Sequence, residues 1–226
     1  MDKRKIFIHI PKNAGMTIRH SPYLKGKILL NGETRLINSA YVNGLLKKMS
    51  QIGDHHGFEH ARWRDLQHGY RDTHTAFAII RNPWDRVKSR YNFVKSLIIE
   101  GKQPKDYADV SSFEAFLEER FKWGNEKYMW HRAVRGWYPA WDHVSDENGE
   151  KCKADIIRFG HLNEEIIKYF KLKEMSRARN VSTFSGVKYT NKTIQIVADW
   201  YQKDIDYWGF DFDTEAQKNY YFEKSC

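Results

Sequence analysis

The chain has 226 residues, 41% apolar and 30% charged, the balance of a globular rather than a disordered chain and enough for one substantial core. Its 38 basic residues outnumber 29 acidic ones for a net charge of +9, which suits an anionic ligand without naming it. The two cysteines, Cys152 and Cys226, stand far apart and outside any C-x-x-C spacing, so neither a disulfide framework nor a cysteine zinc site is indicated, and no apolar stretch is long enough to span a membrane.

Residues 6–10 are apolar and rich in β-branched side chains, and predict a buried strand. Pro11 ends it, because proline has no N–H for the ladder. Asn13, Ala14 and Gly15 are small enough for backbone to approach a ligand closely, and Thr17 and Ile18 can open a helix. A strand that feeds a tight turn and a helix gathers N–H groups and a positive dipole end at one point, which favours an anion. Lys12 adds a charge there. The nucleotide loop G-x-x-x-x-G-K-[ST] is absent. Residues 27–30 read as a strand entering the Asn31-Gly32 turn, with a hairpin partner at 34–37. Residues 39–49 have helical spacing, with Val42, Leu45, Leu46 and Met49 on one side.

The stretch 53–66 carries His55, His56 and His60. Imidazole titrates in the range a general base needs. His56 and His60 are four apart, as in some metal sites, but H-E-x-x-H is absent and no third ligand is marked, so no metal is expected. Arg62, Trp63 and Arg64 fit either an anion- and sugar-binding groove or a basic helix face.

Residues 76–80 predict a second buried strand, running into Arg81-Asn82-Pro83 and a helix to residue 99. Arg81 stands at the strand end, where α/β sheets bind ligands, and Ser89 lies about two turns into the helix. Together they suit a second phosphate. Ser111, with Glu114 three residues on, predicts a capping box. Trp123, Tyr128, Trp130, His131, Trp137, Tyr138 and Trp141 form an aromatic-rich stretch that fits a core or a glycan platform. Residues 146–149 signal a hairpin turn, 154–159 a strand and 162–172 a helix.

The segments Pro11-Lys12-Asn13-Ala14-Gly15-Met16-Thr17 and Arg81-Asn82-Pro83-Trp84-Asp85-Arg86-Val87-Lys88-Ser89-Arg90-Tyr91 resemble the carbohydrate (Golgi-type, family 2) sulfotransferases, whose pattern is a PKTGGTS-like loop followed by RNPxxRxxSxY. The second motif matches at every fixed position. The first departs at Asn13, Ala14 and Met16-Thr17 and keeps Lys12, Gly15 and a hydroxyl at Thr17. Asn180 and Ser182 resemble the family's His-x-Asn-x-Ser loop, and residues 189–212 its closing helix. The histidine segment resembles the family's too, with His60 favoured as base over His56.

The resemblance implies a P-loop-like sulfotransferase fold: one domain over residues 1–226, with a mainly parallel sheet flanked by helices. The donor it implies is 3′-phosphoadenosine 5′-phosphosulfate (PAPS). Residues 11–17 would hold its 5′-phosphosulfate, and Arg81 and Ser89 its 3′-phosphate. The acceptor is a hydroxyl, expected on a carbohydrate. Neither a metal, a nucleic acid nor a membrane span is expected, and a cytoplasmic enzyme of a microbe or virus is the natural reading. The alternatives are an ATP-dependent P-loop phosphotransferase, and a non-catalytic basic protein that binds glycan or nucleic acid.

Overall fold

The computed structural model describes residues 4–52, 57–124, 136–175 and 187–212. Its centre is a four-stranded parallel sheet in the order β2-β1-β3-β4, built from β1 (Lys5–Ile8), β2 (Ile28–Leu30), β3 (Ala76–Ile80) and β4 (Ala154–Arg158). All five residues of β3 are buried, as expected of a strand covered on both faces. The chain is therefore an α/β protein with helices on both sides of a parallel sheet.

Period-two alternation sorts the strand residues between two cores. Ile6, Ile8, Ala76, Ala78, Ile80 and Ile156 point to one face, and Phe7, Phe77, Ile79 and Ile157 to the other. The second face is covered by Ile18 of α1 (Gly15–Arg19) and, after β4, by Leu162, Ile166 and Tyr169 of the helix Leu162–Phe170. The first face is deeper. It receives Trp84, Val87, Tyr91 and Val94 of the long helix Pro83–Ile99, Phe116 and Leu117 of Phe113–Trp123, and Trp141 and Val144 of Ala140–Val144. Val197 and Trp208 of the last two helices, and Tyr201 at the break between them, complete it.

The helix Pro83–Ile99 starts as expected. Pro83 takes the first helical position, where its missing N–H costs nothing, and the Asn82 side chain accepts from the Trp84 N–H at 3.0 Å.

Four local expectations are corrected. Residues 34–36 form a 3-10 turn, and β2 pairs parallel to β1, so there is no hairpin at Asn31-Gly32. Asn31 is buried instead, donating to the Ala61 carbonyl at 2.6 Å. On the helix Ser39–Ile52, Tyr41 and Leu45 face inward and Leu46 is exposed. Ser112 rather than Ser111 caps Phe113–Trp123, accepting from the Ala115 N–H, while Glu114 pairs with Lys192. The closing helix is broken at Tyr201 into Asn191–Trp200 and Gln202–Trp208. The 146–149 turn forms, closed by the bridge between Ser145 and Cys152. Among the described residues no helix is long and apolar enough to cross a membrane.

Candidate functional site

The chain leaves β1 toward β2 on one side and returns to β3 on the other. The carboxyl ends of β1 and β3 therefore meet at a point where the strand order reverses, the usual place for a ligand in an open parallel sheet. Residues 9–14 and Arg81 lie there.

The loop after β1 is tightly specified. Lys12 and Ala14 both adopt left-handed backbone, with φ of 66° and 58°, a conformation that costs non-glycine residues free energy and collects at functional sites. Three bonds hold it to its neighbours. Asn13 is buried and donates to the Ile79 carbonyl at 2.8 Å, Arg86 Nε donates to the Pro11 carbonyl at 3.2 Å, and an Arg81 nitrogen reaches the Lys12 carbonyl at 3.4 Å. Asn13 thus acts as a clamp to β3, which differs from the close backbone approach expected of a small residue. Gly15 is needed for a different reason than expected as well. A Cβ there would lie 1.7 Å from His9 Nε2, so the glycine makes room for an imidazole of its own chain. Ala14 packs against the second core and Thr17 is buried, whereas Met16 is 40% exposed at the mouth of the turn.

Above this loop the cations gather. Lys12 Nζ lies over the Phe93 ring at 4.1 Å, and its pKa is pushed down to about 8, first by burial and then by Arg81 and Arg90. Arg81 stacks on Phe159 at 4.4 Å, and burial lowers its pKa, with Asp85 as the opposing charge. Ser89 is half-buried on Pro83–Ile99, four residues before Phe93 and so on the face that meets Lys12. Arg90 is buried against Trp137 and Phe116, and its guanidinium occupies the space a side chain at residue 136 would need.

Beside the loop, His60 is 5% exposed and its ring lies 4.3 Å from that of His9. His60 Nδ1 is 2.7 Å from the His9 carbonyl. A carbonyl only accepts, so Nδ1 carries the proton and Nε2 is the basic nitrogen of neutral His60. A base oriented by a backbone carbonyl is a suitable proton acceptor.

Other expected groups fall elsewhere. His56, Asn180 and Ser182 lie outside the described residues. Arg62 is tied to Asp65 through two nitrogens, at 2.8 and 3.1 Å, and Arg64 to Asp142, while Trp63 is buried. These three side chains take part in bracing the fold. Trp137, Tyr138 and Trp141 are likewise core residues, with Trp141 packed on Tyr207 and Trp208, while Tyr128, Trp130 and His131 lie outside the described residues.

The residues that sequence reasoning missed are the supporting ones. His9 is the strand-end imidazole under Gly15, stacked on Phe7 two residues before it. Arg86 is 2% exposed, and among the described residues its nearest carboxylate is that of Asp204, with NH1 4.0 Å from Oδ2. Asp204 in turn accepts from the backbone N–H groups of Ala140 and Trp141 at 2.7 and 2.8 Å. Arg86 stood in the second motif as a fixed position, but nothing in the spacing says that it reaches back to Pro11.

No family model, curated protein or solved structure matches the chain.

Proposed function

We propose that the chain is a sulfotransferase that moves the sulfuryl group of PAPS to an acceptor hydroxyl, on a carbohydrate, and that its fold is the P-loop-like sulfotransferase fold. The observation that carries the reading is the strained loop after β1, which sets Lys12 beside Arg81 at the β1 and β3 strand ends, with the buried Arg90 near enough to depress Lys12 further. Three cations that depress the pKa of one of their own are a poor arrangement in isolation. They become favourable when an anion enters, because each like-charge penalty is then offset by an attraction. A donor with a phosphosulfate and a separate 3′-phosphate supplies such charge at two points. The α1 end serves the first, and Arg81 and Ser89 serve the second.

In this reading the acceptor oxygen attacks sulfur in line with the bridging oxygen of the phosphosulfate. The new S–O bond forms as the old one breaks, the acceptor proton passes to His60 Nε2, and the bond electrons leave with the phosphate of adenosine 3′,5′-bisphosphate. Lys12 stabilises the charge growing on that phosphate, and holding both substrates in line supplies a further share of the rate.

The test is the thermal midpoint with adenosine 3′,5′-bisphosphate or with ADP. A ligand that binds only the folded state at a hundredfold excess over Kd adds about 2.7 kcal/mol. A shift with the bisphosphate and little with ADP is expected. A larger shift with ADP and Mg²⁺ would favour a phosphotransferase. No shift with either, together with steeply salt-dependent DNA binding, would favour the non-catalytic reading.

A further inference from the structure

We propose that His9, Glu59 and His60 form a reversible site for a zinc-like divalent ion that shuts off the base when filled. A ligand atom from each of the three lies within 4.8 Å of the others. Two imidazoles and a carboxylate are a set that zinc takes, with a fourth position left to water. The spacing in the sequence hid this trio. It directed attention to His56 and His60 on one helix, whereas the fold brings His9 from the end of β1 and Glu59 from the turn Gly57–His60.

What favours a metal over a chance cluster is the set of groups behind the ligands. Metal-bound histidines characteristically donate their other ring N–H to a carbonyl or carboxylate, and ligating carboxylates are themselves hydrogen-bonded. His60 has the first feature and Glu59 the second. His60 Nδ1 donates to the His9 carbonyl at 2.7 Å, which makes Nε2 the unprotonated ring nitrogen. Arg19 NH1 holds Glu59 Oε2 at 2.6 Å, which leaves Oε1 to turn toward an ion. Gly15 lets the His9 imidazole lie at the turn, because any Cβ would displace it. Zinc–nitrogen bonds of about 2.0–2.1 Å place tetrahedral ligand atoms about 3.3 Å apart. The cluster therefore draws together as the ion enters. Glu59, the most exposed of the three, makes the largest movement.

The consequence for turnover rests on the sulfotransfer reading; the binding does not. An ion on His60 Nε2 occupies the lone pair that would accept the acceptor proton. Zinc is then an inhibitor that competes with the proton for one nitrogen, and no metal takes part in the transfer.

Calorimetric titration of the untagged chain with zinc, with magnesium as the control, tests the site. Cobalt in place of zinc reports the geometry through its visible d–d bands. One zinc per chain is expected, with no magnesium uptake. His9→Asn, Glu59→Gln and His60→Gln should each weaken it by about tenfold or more, and His161→Gln should leave it unchanged. Arg19→Met removes only the group that orients Glu59, and should weaken zinc by a smaller factor. Each variant is first checked for a cooperative unfolding transition. Absence of zinc uptake by the wild-type chain, or uptake that the three ligand variants leave unchanged, overturns the site. If the chain transfers sulfate, zinc should inhibit with the calorimetric midpoint. Full turnover at saturating zinc overturns the inhibitory role. A chain that binds zinc through these residues and transfers no sulfate keeps the site and removes the sulfotransferase reading.

Discussion

The two faces of the sheet solve different problems. The face of Phe7, Phe77, Ile79 and Ile157 is closed by two helices through Ile18, Leu162, Ile166 and Tyr169, and its stability comes from apolar area removed from water. The opposite face carries more helices and larger aromatics, and among them are the buried ionic groups Arg86, Arg90, Arg158 and Asp204. Burying an ion is costly unless partners surround it. The arginine that holds the loop after β1 is supported from this face, so here stability and the proposed donor site rest on the same side chains. On the other face the helix Leu162–Phe170 makes none of the three bonds that hold the loop, so at Ile166 the two are separable.

The largest effect that would test this contrast is at Asp204. Asp204→Ala leaves Arg86 without its nearest carboxylate, and a loss of about 3–5 kcal/mol in urea unfolding is expected. A loss below about 1 kcal/mol would show that Arg86 does not depend on it. Ile166→Ala, on the apolar face, should cost about 3 kcal/mol through its cavity, yet leave the affinity for adenosine 3′,5′-bisphosphate unchanged. Weakened nucleotide binding in that variant would erase the distinction between the faces. Lys12→Ala should lower kcat about a hundredfold, ~2.7 kcal/mol, with little change in stability; turnover equal to wild type would remove Lys12 from the chemistry. Because Lys12 stands at about 8 in the free protein, an arriving anion raises it. Bisphosphate binding near pH 8 should take up protons, seen as a dependence of calorimetric heat on the ionisation enthalpy of the buffer, and Lys12→Met should abolish the uptake.

The smallest effect is a slope. Burial pushes Asp204 up to about 6, above its ordinary 3.8, against the pull of Arg86. The folded state thus binds this proton more tightly than the unfolded state. The contribution of the group to stability grows as pH falls from about 6 toward 4, and is flat above. Asp204→Asn should flatten that part of the stability profile, and an unchanged profile would assign the slope to other carboxyls.

Much of this was legible from local pattern. β1, β3 and β4 are short apolar runs with turn signals at their ends, and the proline after Asn82 marks a helix start. The meeting of Lys12 with Arg81 followed from placing both at strand ends. What could not be read was whatever depends on distant packing. Asn31-Gly32 carries a hairpin signal, but a parallel partner for β1 and a buried role for Asn31 overrode it. The aromatics at 137, 138 and 141 are equally suited to a sugar face and a core, and composition does not choose between them. His9 was hidden because its importance comes from the space above Gly15 and from the approach of His60, both products of the third dimension.

The strand order also sets a timetable. β1 precedes both of its sheet neighbours in the chain, and the second of them ends only at Ile80. During synthesis, at about 5–20 residues per second, the strand and its strained turn must wait several seconds before β3 exists to receive the Asn13 side chain. Through that interval the apolar residues Ile6, Phe7 and Ile8 have no sheet to enter. Long-range parallel pairing of this kind is slow and leaves such segments open to aggregation. The turn after β1 therefore reaches its final bonds only after the polypeptide has emerged well past its eightieth residue.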